Sequence, residues 1–206
     1  MLLFLIPSIV MASGLFKLGF GSINQFQLPI PSPGIQQASL IDVRNWATGG
    51  ELRARVLGIN IDSYLLIQQG KIIDVTEQGK AVFEDDIAQR LFGMVGVGLS
   101  TKVAEFTTLS LAAGTLVGLD VSSGFDVRLW MGTTDNYFSR ERSAEFFANT
   151  TVAYRMRFDF NLGGFSVGLH YQVPSLGFCY ANPEATLLEP DWGQGKIGAS
   201  FITTFF

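Results

Sequence analysis

From Thr150 the chain alternates for a long stretch: Val152, Tyr154, Met156, Phe158 and Phe160 are apolar, and Ala153, Arg155, Arg157, Asp159 and Asn161 lie between them. Successive side chains on a strand point to opposite faces, so the run predicts one greasy face and one charged face. Leu162-Gly163-Gly164 follows as a tight turn. Alternation then resumes, with Phe165, Val167, Leu169, Tyr171 and Val173 set against Ser166, Gly168, His170 and Gln172. The two runs read as a hairpin. Upstream, Phe125, Val127, Leu129 and Met131 alternate with Asp126, Arg128, Trp130 and Gly132, and Leu109 to Leu119 alternates with its polar and small neighbours except at Leu116. Leu91, Val95, Val97 and Leu99 stand opposite Phe92, Met94, Gly96 and Gly98. The last run sets Ile197, Ala199, Phe201, Thr203 and Phe205 against Lys196, Gly198, Ser200, Ile202 and Thr204.

Read backwards from the C-terminus, the candidate strands are 195–206, 165–173, 150–161, 124–132, 106–121, 89–100 and 51–61, with an eighth from 13–21 or 36–46. The connections alternate short and long, as in an up-and-down barrel with short turns at one end and loops at the other. Eight strands is the expected count, or ten if Ile72–Val75 and Lys80–Phe83 also cross. Leu65 to Ala88 otherwise reads as a long excursion, partly helical near Glu84–Leu91. Phe26 to Gln36 carries Pro29, Pro31, Pro33 and Gly34 and reads as an extended connector, because each proline removes a ladder donor. Residues 1–12 are a signal-like apolar segment with a cleavage point expected at Ser13, and 13–206 form a single barrel domain.

Two architectures accept such strands. A soluble lipocalin-like carrier turns Tyr154, Met156 and Phe158 into a cavity; a membrane barrel turns them to lipid and the charges inward. Strand length favours the membrane. Runs 150–161, 106–121 and 195–206 reach the roughly 9 to 11 residues that a tilted strand needs to cross a bilayer, whereas globular strands average about 5 to 6. Composition agrees: of 206 residues 48% are hydrophobic and 16% charged, against about 25% charged in an average globular chain. The fold class expected is therefore all-β, an antiparallel transmembrane barrel.

A net charge of -4 leaves no basis for binding nucleic acid. One cysteine, Cys179, and one histidine, His170, exclude an intramolecular disulfide and a Cys/His zinc shell, and no cofactor is implied. The candidate lumen residues are Asp126, Arg128, Arg155, Arg157, Asp159, His170 and Lys196. Left unpaired, the cationic excess of this set would favour anions in an open pore. Paired, the same residues form a plug, since eight strands enclose little more than their own side chains. Tyr137, Phe138, Phe146, Phe147, Phe178, Tyr180 and Trp192 gather near the long loops, as an interfacial belt or a surface for a protein partner.

The chain ends Gly195-Lys196-Ile197-Gly198-Ala199-Ser200-Phe201-Ile202-Thr203-Thr204-Phe205-Phe206. A terminal aromatic on an amphipathic, glycine-containing strand resembles the assembly signal of bacterial outer-membrane β-barrel proteins, a class that includes the eight-stranded OmpW-like group. The resemblance implies an outer-membrane location, contact with the lipid bilayer and lipopolysaccharide, and handling by the barrel assembly machinery. It makes Gly198, Ile202 and Phe206 the signal positions; the complementary set Ile197, Phe201 and Phe205 is the more hydrophobic one. Outer-membrane lipid A deacylases are similar small barrels with a His and, two residues later, a Ser. Here Gln172 follows His170 at that spacing, so an outer-leaflet enzyme using His170 is the alternative, and a non-enzymatic channel or docking barrel is the principal expectation.

Overall fold

The computed structural model describes residues 16–28, 40–76, 80–132 and 136–205. The signal-like segment and Phe206 lie outside them. The strands are β1 (Phe16–Phe26), β2 (Trp46–Val56), β3 (Ile59–Gln69), β4 (Ile72–Val75), β5 (Ala81–Phe83), β6 (Ile87–Ala104), β7 (Thr107–Ser122), β8 (Val127–Met131), β9 (Ala153–Asn161), β10 (Phe165–Pro174) and β11 (Lys196–Thr204), with one short helix, α1 (Ser143–Ala148). Among the described residues, eight of these strands close into an antiparallel barrel in the order β6-β3-β2-β1-β11-β10-β9-β7, and β7 returns to β6. The first and last strands seal it, with Gly19 opposite Thr204 and Gln25 opposite Gly198.

The eight-strand count is borne out, but its membership differs from the sequence reading. Residues 51–61 are not one strand: the chain reverses at Leu57-Gly58, where φ is 53° and 86°, and Val56 faces Ile59 across a two-residue turn. A turn with two positive φ values usually advertises itself as Asn-Gly or Asp-Gly, and Leu-Gly does not. Ile59–Gln69 is a full strand rather than the start of an excursion. Leu66 joins Asn60, Asp62, Tyr64 and Gln68 on its inner face, so the apolar run Leu65-Leu66-Ile67 hides the alternation. No helix forms at Glu84–Leu91, where β6 begins at Ile87. The β4–β5 hairpin pairs only with itself and adds no wall strands.

The predicted strand 124–132 does not cross. Its core, β8, pairs with the upper end of β7, Val121 to Val117, while β9 pairs with the lower end, Gly114 to Thr107. β8 and β9 are thus two halves of one wall position, separated by an excursion that leaves at Gly132, carries α1, and returns at Thr151. The turn at Ser122–Asp126 consequently lies at the loop end of the barrel. That end also carries residues 27–28, 40–45, 70–71, 84–86 and 175–195, whereas Leu57-Gly58, Glu105-Phe106 and Leu162–Gly164 form the short-turn end.

The faces are those of a membrane barrel. Leu65, Val97, Leu99, Leu111, Met156 and Leu169 point outward, between 46% and 70% exposed, whereas Arg155 and Arg157 are 1% exposed inside. Met156 and Phe158 face out, which removes the apolar cavity a lipocalin-like carrier would need. Soluble surfaces rarely show an apolar band running round the whole molecule; an outer-membrane wall requires one. Aromatics flank the band. Phe165 stacks on Phe201 at 5.4 Å toward the turn end, and Tyr171 on Trp192 at 6.1 Å toward the loops. The chain is an all-β closed barrel, and its exterior is built for the lipid bilayer.

Candidate functional site

Six charged side chains meet in the middle of the lumen. β2 supplies Glu51 and Arg53, β3 supplies Asp62, and β9 supplies Arg155, Arg157 and Asp159. Alternation puts them all inside, because Glu51-x-Arg53 and Arg155-x-Arg157-x-Asp159 each keep one parity along a strand. Glu51 Oε1 accepts from Arg53 Nε and Arg155 Nη1, both at 2.8 Å, and from Arg157 Nη1 at 3.4 Å. Asp159 takes Arg53 Nη1 on one oxygen and Arg157 Nε on the other, each at 2.8 Å. Asp62 is paired to Arg157 Nη1. Ser200 Oγ accepts from Arg53 at 2.6 Å, and Asn60 Oδ1 from Arg157 at 3.3 Å. Three guanidinium groups thus meet three carboxylates, and none of these side chains is more than 10% exposed. Burial of charge is tolerable only with such pairing.

Gly168 makes room for the layer: a Cβ there would fall 2.5 Å from Asp159 Oδ1 and 2.8 Å from Ser200 Oγ. Above the layer, toward the loops, a polar relay continues. The Tyr64 hydroxyl donates to Gln172 Oε1, Gln25 Nε2 donates to the same oxygen at 3.2 Å, Gln27 Nε2 to Gln25 Oε1 at 3.1 Å, and Lys196 Nζ to Gln27 Oε1 at 3.0 Å. Beside it an apolar cluster of Ile23, Leu66, Phe92, Met94 and Trp130 fills the remaining width. Leu116, the residue that breaks the alternation of β7, packs inward against this cluster. A cavity of about 40 Å³ lies on the turn side of the charge layer and one of about 360 Å³ on the loop side, and no residue lines both.

The structure brings Arg155, Arg157 and Asp159 together and puts the other candidates elsewhere. His170 is buried beside Gly198, where a Cβ would come within 2.4 Å of the imidazole, and neither ring nitrogen has a hydrogen-bond partner among the described residues. Lys196 sits at the loop-side mouth. Arg128 lies at the loop end, its guanidinium 5.4 Å from the centroid of Tyr137. Asp126 is exposed in the turn, its backbone N–H donating to Ser122 Oγ at 2.9 Å. Gly198 and Ile202 face inward, Ile202 being 1% exposed, whereas Ile197, Phe201 and Phe205 face out. Phe206 lies outside the described residues.

Sequence reasoning missed Glu51, Arg53 and Asp62, half of the charge layer. The parity of Glu51, Arg53 and Arg55 around Leu52 and Ala54 carries the signal, but two glycines precede it and the Leu57-Gly58 turn follows directly. It also missed a second ion group. Asp120 accepts from Trp130 Nε1 at 2.9 Å and Tyr137 at 2.8 Å and pairs with Arg90 at 3.0 Å, while Arg90 lies 4.1 Å over the Trp130 ring.

No protein-family model matches the chain, and no curated protein does. Among solved structures, the chain is similar to Ail, the attachment invasion locus protein of Yersinia pestis, determined in complex with the heparin analogue sucrose octasulfate. The identity is 12%, the match covers 92% of this chain and 95% of that one, and the TM-score is 0.43.

Proposed function

We propose that this outer-membrane barrel is closed to solutes and works as a structural and docking element through its loop-side face. One observation carries the reading: Glu51, Arg53, Asp62, Arg155, Arg157 and Asp159 cross-link the lumen from facing walls in a charge-balanced layer, with separate cavities above and below. An open pore of this size would need water, not ion pairs, at its waist. The loop end presents Phe125, Phe147 and Tyr180, each at least 61% exposed, and exposed aromatics away from lipid suit a protein partner. The barrel assembly machinery would meet the outward set Ile197, Phe201 and Phe205, and lipopolysaccharide the loop-side aromatic belt.

The reading makes the barrel non-enzymatic. His170 is walled in by Gly198 and hydrogen-bonds to no serine or carboxylate, so a base with a nucleophile to activate is not assembled at this position. In planar bilayers the purified protein is expected to give no discrete conductance steps at any salt concentration. Reproducible unitary steps would overturn the closed-lumen reading. His170→Ala is expected to leave the lipid A profile of the host membrane unchanged.

A further inference from the structure

We infer that the 360 Å³ cavity at the loop-side mouth is a binding site for a small organic anion, a carboxylate carried on an apolar body. Its volume falls within the roughly 300–1,000 Å³ of small-molecule sites. The polar wall carries donors that its own side chains do not satisfy. Lys196 reaches only the neutral Gln27 Oε1, at 3.0 Å, and among the described residues no carboxylate lies within ion-pair distance of it. Gln68 Nε2 and Ser175 Oγ, on residues that are 96% buried and that line the same cavity, have no hydrogen-bond partner among the described residues. Buried donors without acceptors are costly, and a ligand oxygen would satisfy them.

Arg90 and Asp191 also line the cavity. Arg90 is paired with Asp120 at 3.0 Å, and Asp191 Oδ1 accepts from the N–H of Gly193 at 3.2 Å. One ammonium, one amide and one hydroxyl therefore remain to be matched, a set that fits the two oxygens of a carboxylate. Phe92, Leu116 and Trp130 line the cavity as well and would hold the apolar body. The site lies on the loop side of the charge layer, so a ligand enters from the loops and is retained rather than passed through.

The full-length protein in lipid nanodiscs, titrated with 4-(trifluoromethyl)benzoate and followed by ¹⁹F NMR, tests this. Matched 4-(trifluoromethyl)benzamide is the neutral probe, and empty nanodiscs are the blank. Saturable binding of the acid, at least about 10-fold tighter than the amide, is expected. Lys196→Gln should weaken the acid by about 10-fold or more, the size of one lost charge-assisted hydrogen bond, and leave the amide unchanged, while Lys196→Arg retains the preference. Ser175→Leu, which fills the cavity, should abolish binding of both probes. It serves as the deciding variant should Lys196→Gln fail to show the heat-modifiable migration of a folded barrel. Signal equal to that of empty nanodiscs, equal affinity for acid and amide, or undiminished acid binding in folded Lys196→Gln or in Ser175→Leu would overturn the inference.

Discussion

Replacing Glu51 by Gln should be among the most damaging single changes available in the lumen, because its effect falls on a residue with no other anion. Arg53 keeps Asp159 and Ser200, and Arg157 keeps Asp62 and Asp159, but among the described residues Arg155 has no carboxylate partner besides Glu51. Its Nε and Nη2 have no hydrogen-bond partners among the described residues, and its guanidinium lies over the Tyr64 ring, 5.0 Å away. Glu51→Gln therefore strands a fully buried guanidinium and turns an acceptor into a donor facing three cations. Breaking one side of a buried pair costs about 3–5 kcal/mol. With an m-value near 2 kcal/mol per molar urea, the unfolding midpoint in lipid vesicles should fall by about 2 M. The double variant Glu51→Leu, Arg155→Met leaves two arginines with two aspartates and should recover most of the loss, because an apolar pair in place of a buried ion pair is close to neutral. Urea titrations read by heat-modifiable gel migration and tryptophan fluorescence give both numbers. A single-variant loss under about 1 kcal/mol, or a double variant equal to the sum of its singles, would refute the argument that charge balance holds the lumen together.

Gly168→Ala should lower stability by about 1–3 kcal/mol, since its methyl would sit 2.5 Å from Asp159 Oδ1, and the same titration reads it. Leu169→Arg, which places a cation on the lipid face where Leu169 is 57% exposed, should cost about 2–4 kcal/mol in vesicles; an unchanged midpoint would place that face in water. Leu57→Asn should stabilise the barrel by about 1 kcal/mol by relieving a side chain held at φ 53° in a two-residue turn. At the loop end, the Arg44 guanidinium hydrogen-bonds to Asp42 and holds its carboxyl below the usual range. That pair is intact above the ordinary aspartate value and is lost as pH falls through the lowered one. Arg44 is solvent-exposed and Asp42 only partly covered, so the pair is well screened and Asp42→Asn should leave the urea midpoint unchanged from pH 5 to pH 8.

The C-terminal half was legible because its wall residues follow period two closely: β9, β10 and β11 keep mostly charged, polar or small residues inside and apolar ones outside, Ile202 and Val173 being the buried exceptions. The N-terminal half was less so. In β3 an inward Leu66 merges with outward Leu65 and Ile67, and the β2–β3 turn lacks the residues that normally mark one. Position 124–132 alternates as well as any strand, yet β8 spans only five residues, since alternation reports a half-buried ladder and not how far the ladder runs. The site was half legible for a different reason. Arg155 was readable as an inward charge, but its partner Glu51 lies 104 positions away. Barrel closure decides which strands face one another across the lumen, and nothing local encodes that.

The split wall position has a consequence of its own. Where the chain departs and rejoins the ladder, a Cβ on Gly132 would stand 2.8 Å from the backbone nitrogen of Thr151, so the two ends of the excursion nearly touch. A segment whose exit and re-entry coincide behaves as a removable cartridge. It can be shortened, swapped for an unrelated epitope or cut out with its ends rejoined, and the shear of the cylinder stays as it was. This barrel has a splice point at a place where its outward display can be rewritten without refolding the wall.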